Sequence, residues 1–185
     1  MTNIPDYKII DNALPIKDFK TLEKNIMSNT QTWNYSEGVI LGDVKKDNGD
    51  IYFMHLYYLG VSDKPHIDAN GKPLPPKKSK HYSDILPVLK LLNNVTGMEN
   101  LLRVKANLYY RTEKLNYHSK HSDFSFSHKG AILSINTNDG CTVLEDGTEI
   151  KSVSNRLLLF DPSQQHSSTS CTNQKRRVNI NFNYI

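Results

Sequence analysis

Residues 177–183 read Arg-Val-Asn-Ile-Asn-Phe-Asn, so polar and apolar side chains alternate along the whole stretch. A period of two is typical of a β-strand whose two faces meet different surroundings. The stretch predicts a strand with Arg177, Asn179 and Asn181 on one face and three apolar side chains on the other. An arginine that faces the inside of a β-barrel requires an anionic partner, and a dicarboxylate would supply one through a bidentate pair.

The rest of the chain also indicates a mainly β fold with flanking helices (α+β). Runs rich in apolar or alternating residues predict strands at Tyr52–Leu59, Leu102–Tyr110, Ala131–Asn136, Thr142–Glu145, Arg156–Phe160 and Arg177–Tyr184. The dipeptide Asp146-Gly147 is a strong two-residue hairpin signal, and residues 138–140 (Asn-Asp-Gly) mark another turn. Short strands at close spacing, preceded by helices, predict a sandwich or open barrel braced by helices on one face.

Two amphipathic helices are predicted in the first half of the chain. The segment Pro15–Ser28 carries apolar side chains at spacings of three and four, with charged residues between them. A second helical pattern starts at Ser83, a candidate N-cap, and stops near Gly97. Each apolar stripe needs a partner surface, and the predicted sheet is the candidate.

Length and composition fit one compact domain. The chain has 185 residues, of which 37% are hydrophobic and 23% charged. We expect one domain over residues 1–185, in which 1–100 supply the helices, outer strands and a lid loop and 101–185 form the β core. Cys141 and Cys171 are too few for a disulfide framework and are expected as free thiols. The net charge of +4 comes mostly from scattered lysines, which permits a nucleic-acid partner without indicating one.

The sequence shows neither a membrane-spanning segment nor a secretory signal. No apolar run approaches the ~18 residues that a membrane span needs. The first residues lack the basic and apolar regions of a secretory signal. We therefore expect a cytoplasmic protein, in the host cytoplasm if a phage encodes it, without a membrane partner.

One long segment, Val61–His81, has little periodicity. It contains four prolines and a basic group at residues 77, 78 and 80. Segments of this length in a compact domain are usually lids, binding loops or connectors, and the sequence leaves the choice open.

Two His-x-Asp triplets offer an imidazole and a carboxylate at the spacing that can serve one metal ion. The triplet at 121–123 follows a long predicted strand, and His166 follows another predicted strand 45 residues later. Two histidines and one carboxylate from two β segments form a facial set that leaves positions of an octahedral Fe(II) open, whereas zinc prefers a closed tetrahedron. The other triplet, His66-Ile67-Asp68, lies in the proline-rich segment, has no such partner and is interpreted as loop.

The second half of the chain resembles the 2-oxoglutarate and Fe(II)-dependent dioxygenases, over residues 101–185. Residues 104–109 (Val-Lys-Ala-Asn-Leu-Tyr), followed by His-Ser-Asp-Phe at 121–124, resemble the strand and metal motif of prolyl 4-hydroxylases. Residues 155–161, His166 and 177–183 resemble the second half of small phage and bacterial members. The resemblance implies a double-stranded β-helix, the jelly-roll fold shared with cupins.

The resemblance also implies roles for individual residues. His121, Asp123 and His166 would be the ligands of Fe(II), and they are the expected catalytic centre. The residues expected to bind 2-oxoglutarate are Arg177, Tyr109, Asn107 and Asn179.

Two of these roles have rivals. Tyr110 and Tyr117 compete with Tyr109 for the contact with the co-substrate. Arg176 competes with Arg177, although strand parity with the asparagines favours Arg177.

The activity that the resemblance implies is hydroxylation of a C–H bond with O₂, coupled to decarboxylation of 2-oxoglutarate to succinate, with ascorbate as a further candidate cofactor. The first-choice substrate is a peptidyl proline in a peptide or protein. One alternative is an AlkB-like nucleic-acid demethylase, which the Asn-x-Tyr spacing and the basic loop support. The absence of a second arginine on the last strand, where Asn183 stands instead, opposes it. The other alternative is a non-catalytic β-barrel that binds a small acid or sugar.

Overall fold

The computed structural model describes residues 7–36, 51–60, 72 and 74–185. It contains two α-helices, α1 (Ile16–Ile26) and α2 (Leu86–Thr96). The strands are β1 (Lys8–Ile10), β2 (Asn34–Ser36), β3 (Tyr52–Leu59), β4 (Lys77–Lys78), β5 (Leu101–Tyr110), β6 (Lys129–Ser134), β7 (Cys141–Val143), β8 (Glu149–Lys151), β9 (Arg156–Phe160), β10 (Ser167–Ser168) and β11 (Arg176–Tyr184). Neither helix in these described ranges has the length and apolar character needed to cross a bilayer.

The strands form two antiparallel sheets. The larger sheet has the order β1-β9-β6-β11-β5-β3-β2, with β4 paired to β3. The smaller sheet has the order β10-β7-β8, and the isolated bridges 117–169 and 121–166 add the segment 117–121 beside β10. From β5 onward the chain passes repeatedly from the larger sheet to the smaller one and back. This is the double-stranded β-helix, or jelly roll, that the family resemblance implies.

The two faces of β11 meet different surroundings, as their alternation predicts. Val178, Ile180 and Phe182 lie in the main hydrophobic core, which also contains buried side chains of both helices. The opposite face is turned toward the smaller sheet, because the Arg177 guanidinium donates a hydrogen bond of 3.3 Å to Oγ1 of Thr142 on β7. The helices therefore cover one face of the larger sheet, and a polar row lines the space between the sheets.

The two predicted helices are confirmed, but the predicted start of the second helix is wrong. The first helix, α1, lies within the predicted segment Pro15–Ser28. The α-helix α2 begins at Leu86, with Ile85 and not Ser83 in the N-cap position. The preceding residues form a 3-10 turn (Tyr82–Ile85) in which backbone N–H groups bond to carbonyls three residues back, and a proline at the first turn then starts the α-helix. Gly97 ends α2 in the left-handed conformation, as predicted.

Two predicted strands end earlier than expected. The strand predicted at Ala131–Asn136 is Lys129–Ser134, because the Asn136 side chain leaves the ladder and bonds the backbone of β11 on both its oxygen and its nitrogen. The strand predicted at Thr142–Glu145 is Cys141–Val143, since a turn begins at residue 144. The other four predicted strands agree to within one residue.

The hairpin between β7 and β8 has a longer turn than the dipeptide signal predicts. The backbone N–H of Leu144 bonds to the carbonyl of Thr148, and Gly147 takes a φ of 87°. This is a three-residue loop closed by a left-handed glycine, not a two-residue turn. The turn predicted at 138–140 is confirmed, and there Asn138 Oδ1 accepts a hydrogen bond of 3.0 Å from the N–H of Gly140.

Five short strands are not predicted by the sequence pattern: β1, β2, β4, β8 and β10. Each has two or three residues, which is too short for a periodic pattern to develop. β4 corrects the expectation for the proline-rich segment, because its two lysines pair with the end of β3. Most of the remaining segment, including His66 and Asp68, lies outside the described residues. The prediction that this segment is a lid concerns those residues as well.

Candidate active site

Three side chains that are distant in sequence meet at one end of the space between the sheets. His121 and His166 exchange two backbone hydrogen bonds of 2.9 Å. This antiparallel bridge places the centres of their rings 4.7 Å apart. The backbone N–H of Asp123 bonds to the carbonyl of Pro162, which turns its carboxylate toward the same point. One ligand atom from each of the three residues lies within 4.8 Å of the others. The predicted cluster is thus assembled by the fold.

The rings of the two histidines are oriented so that each can offer Nε2 to a metal ion. His121 Nδ1 lies 3.3 Å from the carbonyl of Ser119, and His166 Nδ1 lies 3.1 Å from the carbonyl of Gln164. Donation from Nδ1 leaves the lone pair of Nε2 available on each ring. Burial, followed by the neighbouring His166, lowers the pKa of His121 to about 4, so this ring is neutral at pH 7.

The carboxylate of Asp123 is held from three sides. Its Oδ1 accepts a hydrogen bond of 2.8 Å from Arg103, and its Oδ2 accepts hydrogen bonds of 2.8 Å from Asn181 and from Asn183. Burial acts to raise the pKa of Asp123, but the Arg103 guanidinium and the further positive charges and donors around it bring that pKa well below its usual value. The group is therefore an oriented anion.

At the other end of the polar row, Arg177 is 1% exposed and is surrounded by neutral oxygens. Its Nε donates to Ser152 Oγ at 2.8 Å, and its Nη1 donates to the carbonyl of Thr169 at 3.1 Å. Among the described residues no carboxylate forms an ion pair with it. A Cβ on Gly140 would come within 2.6 Å of Arg177 Cδ, so the arginine can lie there only because residue 140 is glycine.

The predicted co-substrate residues lie between the metal cluster and Arg177. Tyr109 pairs directly with Arg177 in the β5–β11 ladder, and the guanidinium carbon lies 5.1 Å from the centre of its ring. Asn107 and Asn179 also pair in register and share a hydrogen bond of 2.9 Å. Tyr109, Asn107 and Asn179 line one cavity together with the three residues of the cluster. The geometry is compatible with the roles expected for them, which remain predictions.

The rival residues lie elsewhere. Tyr110 is 39% exposed, and Tyr117 is 50% exposed and donates its hydroxyl hydrogen to Glu149. Arg176 donates to the carbonyl of Met27, after the end of α1. Of the competing tyrosines and arginines, Tyr109 and Arg177 are the two that face the space between the sheets.

Sequence reasoning missed the cations of β5. Arg103, Lys105, Asn107 and Tyr109 occupy alternate positions of that strand and share its inward face, while small or apolar residues occupy the positions between them. This alternation is as regular as that of 177–183 and could have been found in the same way. Arg103 stands opposite Asn183, so a neighbouring strand supplies a guanidinium at the position where β11 carries an asparagine.

Comparison with known proteins gives structural relatives only. No protein-family model matches the sequence, and no curated protein matches it. An oxidoreductase of the 2OG-Fe(II) oxygenase family from Burkholderia pseudomallei superimposes with a TM-score of 0.67 at 10% identity, over 97% of this chain and 84% of that one. A prolyl-4-hydroxylase from Pseudomonas putida gives 0.61 at 12% identity, over 97% and 91%.

A third solved structure is a prolyl hydroxylase from Trichoplax adhaerens in complex with a peptide fragment of a hypoxia inducible factor oxygen degradation domain. It gives a TM-score of 0.64 at 13% identity, over 99% of this chain and 84% of that one. Identities this low establish a shared fold and no more. The chain therefore has the fold of the 2OG-Fe(II) oxygenases and prolyl hydroxylases, which confirms the architecture expected from its second half.

Proposed function

We propose that this protein is a 2-oxoglutarate- and Fe(II)-dependent dioxygenase. One observation carries the proposal: the cluster of His121, Asp123 and His166 shares a cavity wall with the residues that pack on Arg177, a buried cation with no acid partner among the described residues. A metal cluster alone, or a buried arginine alone, would fit many proteins. The two together fit a bidentate diacid that reaches from a metal ion to a guanidinium.

The three cluster residues fit iron. Two imidazoles and one carboxylate form the facial set typical of Fe(II) oxygenases. His121 and His166 would each contribute Nε2, which their Nδ1 contacts leave free. The Asp123 carboxylate has about four acceptor positions, of which three are used, so one remains for a metal ion.

The surroundings of Arg177 fit the far carboxylate of 2-oxoglutarate. A guanidinium has five N–H donors. Three of them are engaged by Ser152, Thr169 and Thr142, which leaves one on each terminal nitrogen. Two parallel donors are what a carboxylate needs for a bidentate pair. The pair would also balance a buried positive charge for which the described residues supply no counter-ion.

The protein's own contribution is orientation and exclusion of water. Iron and 2-oxoglutarate, when bound, supply the oxidising chemistry, in which O₂ is consumed, 2-oxoglutarate becomes succinate and CO₂, and a substrate C–H bond is hydroxylated. Arg103, Asn181 and Asn183 hold the Asp123 carboxylate in place, and Tyr109 packs against the guanidinium. Both ends of the co-substrate would thus meet groups that are already oriented.

For the substrate we propose a peptide with a proline as the hydroxylated residue. Two observations support this choice: the resemblance of 104–109 and 121–124 to prolyl 4-hydroxylases, and the fold shared with a prolyl hydroxylase that was solved with a peptide. A nucleic-acid substrate is the competing outcome of the experiment below.

The first test is spectroscopic. Under anaerobic conditions, Fe(II) and 2-oxoglutarate added to the protein should give a weak visible charge-transfer band. The band should disappear in His166→Ala and persist in His118→Asn, since His118 is a buried histidine of the same region outside the cluster. A wild-type protein that gives no band and binds no divalent metal would contradict the proposal.

The second test identifies the substrate. Proline-containing peptides and methylated oligonucleotides are incubated separately with the loaded protein, and succinate formation is measured together with product mass. A mass gain of one oxygen on a peptide supports prolyl hydroxylation, whereas loss of a methyl group from an oligonucleotide contradicts it.

A further inference from the structure

Lys105 is a cation in the wall of the cavity, and the proposed function does not use it. It lies on the inward face of β5, opposite Asn181 in the ladder, and lines the cavity that contains the metal cluster. Its strongest contact is weak: Nζ lies 3.5 Å from the hydroxyl of Tyr52 and 5.5 Å from the centre of that ring. The ammonium is thus only loosely held.

Among the residues that the structure describes, no acidic side chain forms an ion pair with Lys105, and Asp123 attracts its ammonium only from a longer distance. Asp123 is the carboxylate of the cavity wall, and its ion pair is with Arg103 at 2.8 Å. The C5 carboxylate of a bound 2-oxoglutarate can pair with only one of the two further cations, Lys105 and Arg177. Charges in such an enclosed site are stable only when they are paired.

Two unpartnered oxygens beside Lys105 also indicate a polar ligand. Asn107 Oδ1 and Asn181 Oδ1 are buried acceptors without a hydrogen-bond donor, and both residues line the cavity. Asn181 cannot reverse its amide without losing the hydrogen bond that its nitrogen donates to Asp123. Buried acceptors of this kind are normally satisfied, so the cavity that Lys105 lines has unmet hydrogen-bonding capacity.

We propose that Lys105 is a second anion-binding residue of this site, whose ammonium pairs with a carboxylate held next to His121, Asp123 and His166. This inference rests on the proposed function for the identity of the ligand, and two carboxylates meet the requirement. One is the C1 carboxylate of 2-oxoglutarate, and the other is an acidic group of the substrate. In the second case the enzyme prefers a peptide with an acidic residue beside the proline.

The first arm of the test measures binding of the co-substrate without turnover. The protein is loaded with Mn(II), and 2-oxoglutarate is titrated calorimetrically into the wild type, Lys105→Met, Lys105→Arg and the control Lys90→Met, whose lysine is exposed on α2. If the partner is the C1 carboxylate, Lys105→Met weakens 2-oxoglutarate binding tenfold or more, Lys105→Arg restores most of the loss, and the control changes nothing. Binding of succinic semialdehyde, which lacks that carboxylate, should then be equal in the wild type and Lys105→Met.

The second arm measures substrate choice. Proline peptides are compared in pairs that differ only by Asp against Asn, or Glu against Gln, beside the proline, with succinate formation as the measure. If the partner belongs to the substrate, the wild type prefers the acidic member at least fivefold and Lys105→Met loses the preference. The affinity for 2-oxoglutarate stays unchanged in that case.

The inference is overturned if Lys105→Met alters neither the affinity for 2-oxoglutarate nor the preference for acidic peptides. A wild-type protein that binds no 2-oxoglutarate refutes the proposed function, and a third measurement then decides the role of Lys105. Succinate and malonate should raise the melting temperature of the metal-free wild type and fail to raise that of Lys105→Met. Equal effects on the two proteins, or no effect on the wild type, would refute anion binding by Lys105 as well.

Discussion

The Nδ2 of Asn183 lies 2.8 Å from Oδ2 of Asp123, so the last polar residue of the final strand holds the acid of the candidate metal cluster. The same nitrogen lies 3.3 Å from Nε2 of His128, and Asn183 Oδ1 accepts a hydrogen bond of 3.1 Å from Arg103. Asn183 thus connects the carboxylate to two further elements. A metal site depends on such outer contacts because they fix the direction of the ligand's lone pairs.

We predict that Asn183→Leu lowers the affinity for divalent metal about tenfold, within the range seen for loss of outer-shell partners. Titration with Mn(II), followed by electron paramagnetic resonance, measures the effect. Asn94→Leu, on the exposed side of α2, is the control and should bind Mn(II) as the wild type does. Unchanged affinity in a folded Asn183→Leu protein would mean that Arg103 and Asn181 suffice to orient Asp123.

Arg177 and Arg176 form a matched pair for testing the co-substrate site. Arg177→Gln should weaken 2-oxoglutarate binding by 10- to 100-fold, because it removes two charge-assisted hydrogen bonds, and should leave Mn(II) affinity nearly unchanged. Arg176→Gln should change neither, since that side chain bonds the carbonyl of Met27 near the helices. Calorimetric titration of the Mn(II)-loaded variants gives both constants. A larger effect from Arg176→Gln would restore the rival assignment.

Gly140 determines whether Arg177 can occupy its position. In Gly140→Ala the new methyl group would overlap the carbonyl of Ser170 and Arg177 Cδ, so we expect lower stability and at least tenfold weaker 2-oxoglutarate binding. Gly97→Ala is the control: it costs about 1 kcal/mol through its φ of 66°, has open space around it, and should leave binding intact. Denaturant unfolding and calorimetry separate the two effects. Wild-type affinity in Gly140→Ala would show that the loop can move aside.

The metal-free protein should lose stability as the pH falls from 6.5 to 4. Burial and His166 lower the pKa of His121 from 6.5 to about 4, so in this range the unfolded chain takes up a proton at residue 121 and the folded chain does not. The contribution of His121 to the free energy of unfolding is complete above pH 6.5 and falls by about 3 kcal/mol toward pH 4. His121→Gln should flatten the pH dependence of the free energy of unfolding by that amount. Parallel curves for the two proteins would contradict the lowered pKa.

The polar row at the centre of this site was largely predictable, because strand periodicity is a local property. Alternation in 177–183 assigned Arg177, Asn179 and Asn181 to one face, and the ladder and the core confirm this. The same alternation in β5 would have identified Arg103 and Lys105 as inward residues. Short elements could not be found in this way, since the two residues of β10 carry no periodic signal of their own.

The sequence by itself determined which side chains face inward and which types of ligand they offer, because the period of a strand and the chemistry of a side chain need no knowledge of distant residues. Only the tertiary structure decided that Arg103 pairs with Asp123, that Arg176 points toward the helices, and that Lys105 forms no ion pair with any described residue. Those facts depend on register between strands far apart in the chain. The alternation within one strand assigns its faces, but the choice of a distant partner strand and of the paired residues depends on the packing of the whole sheet.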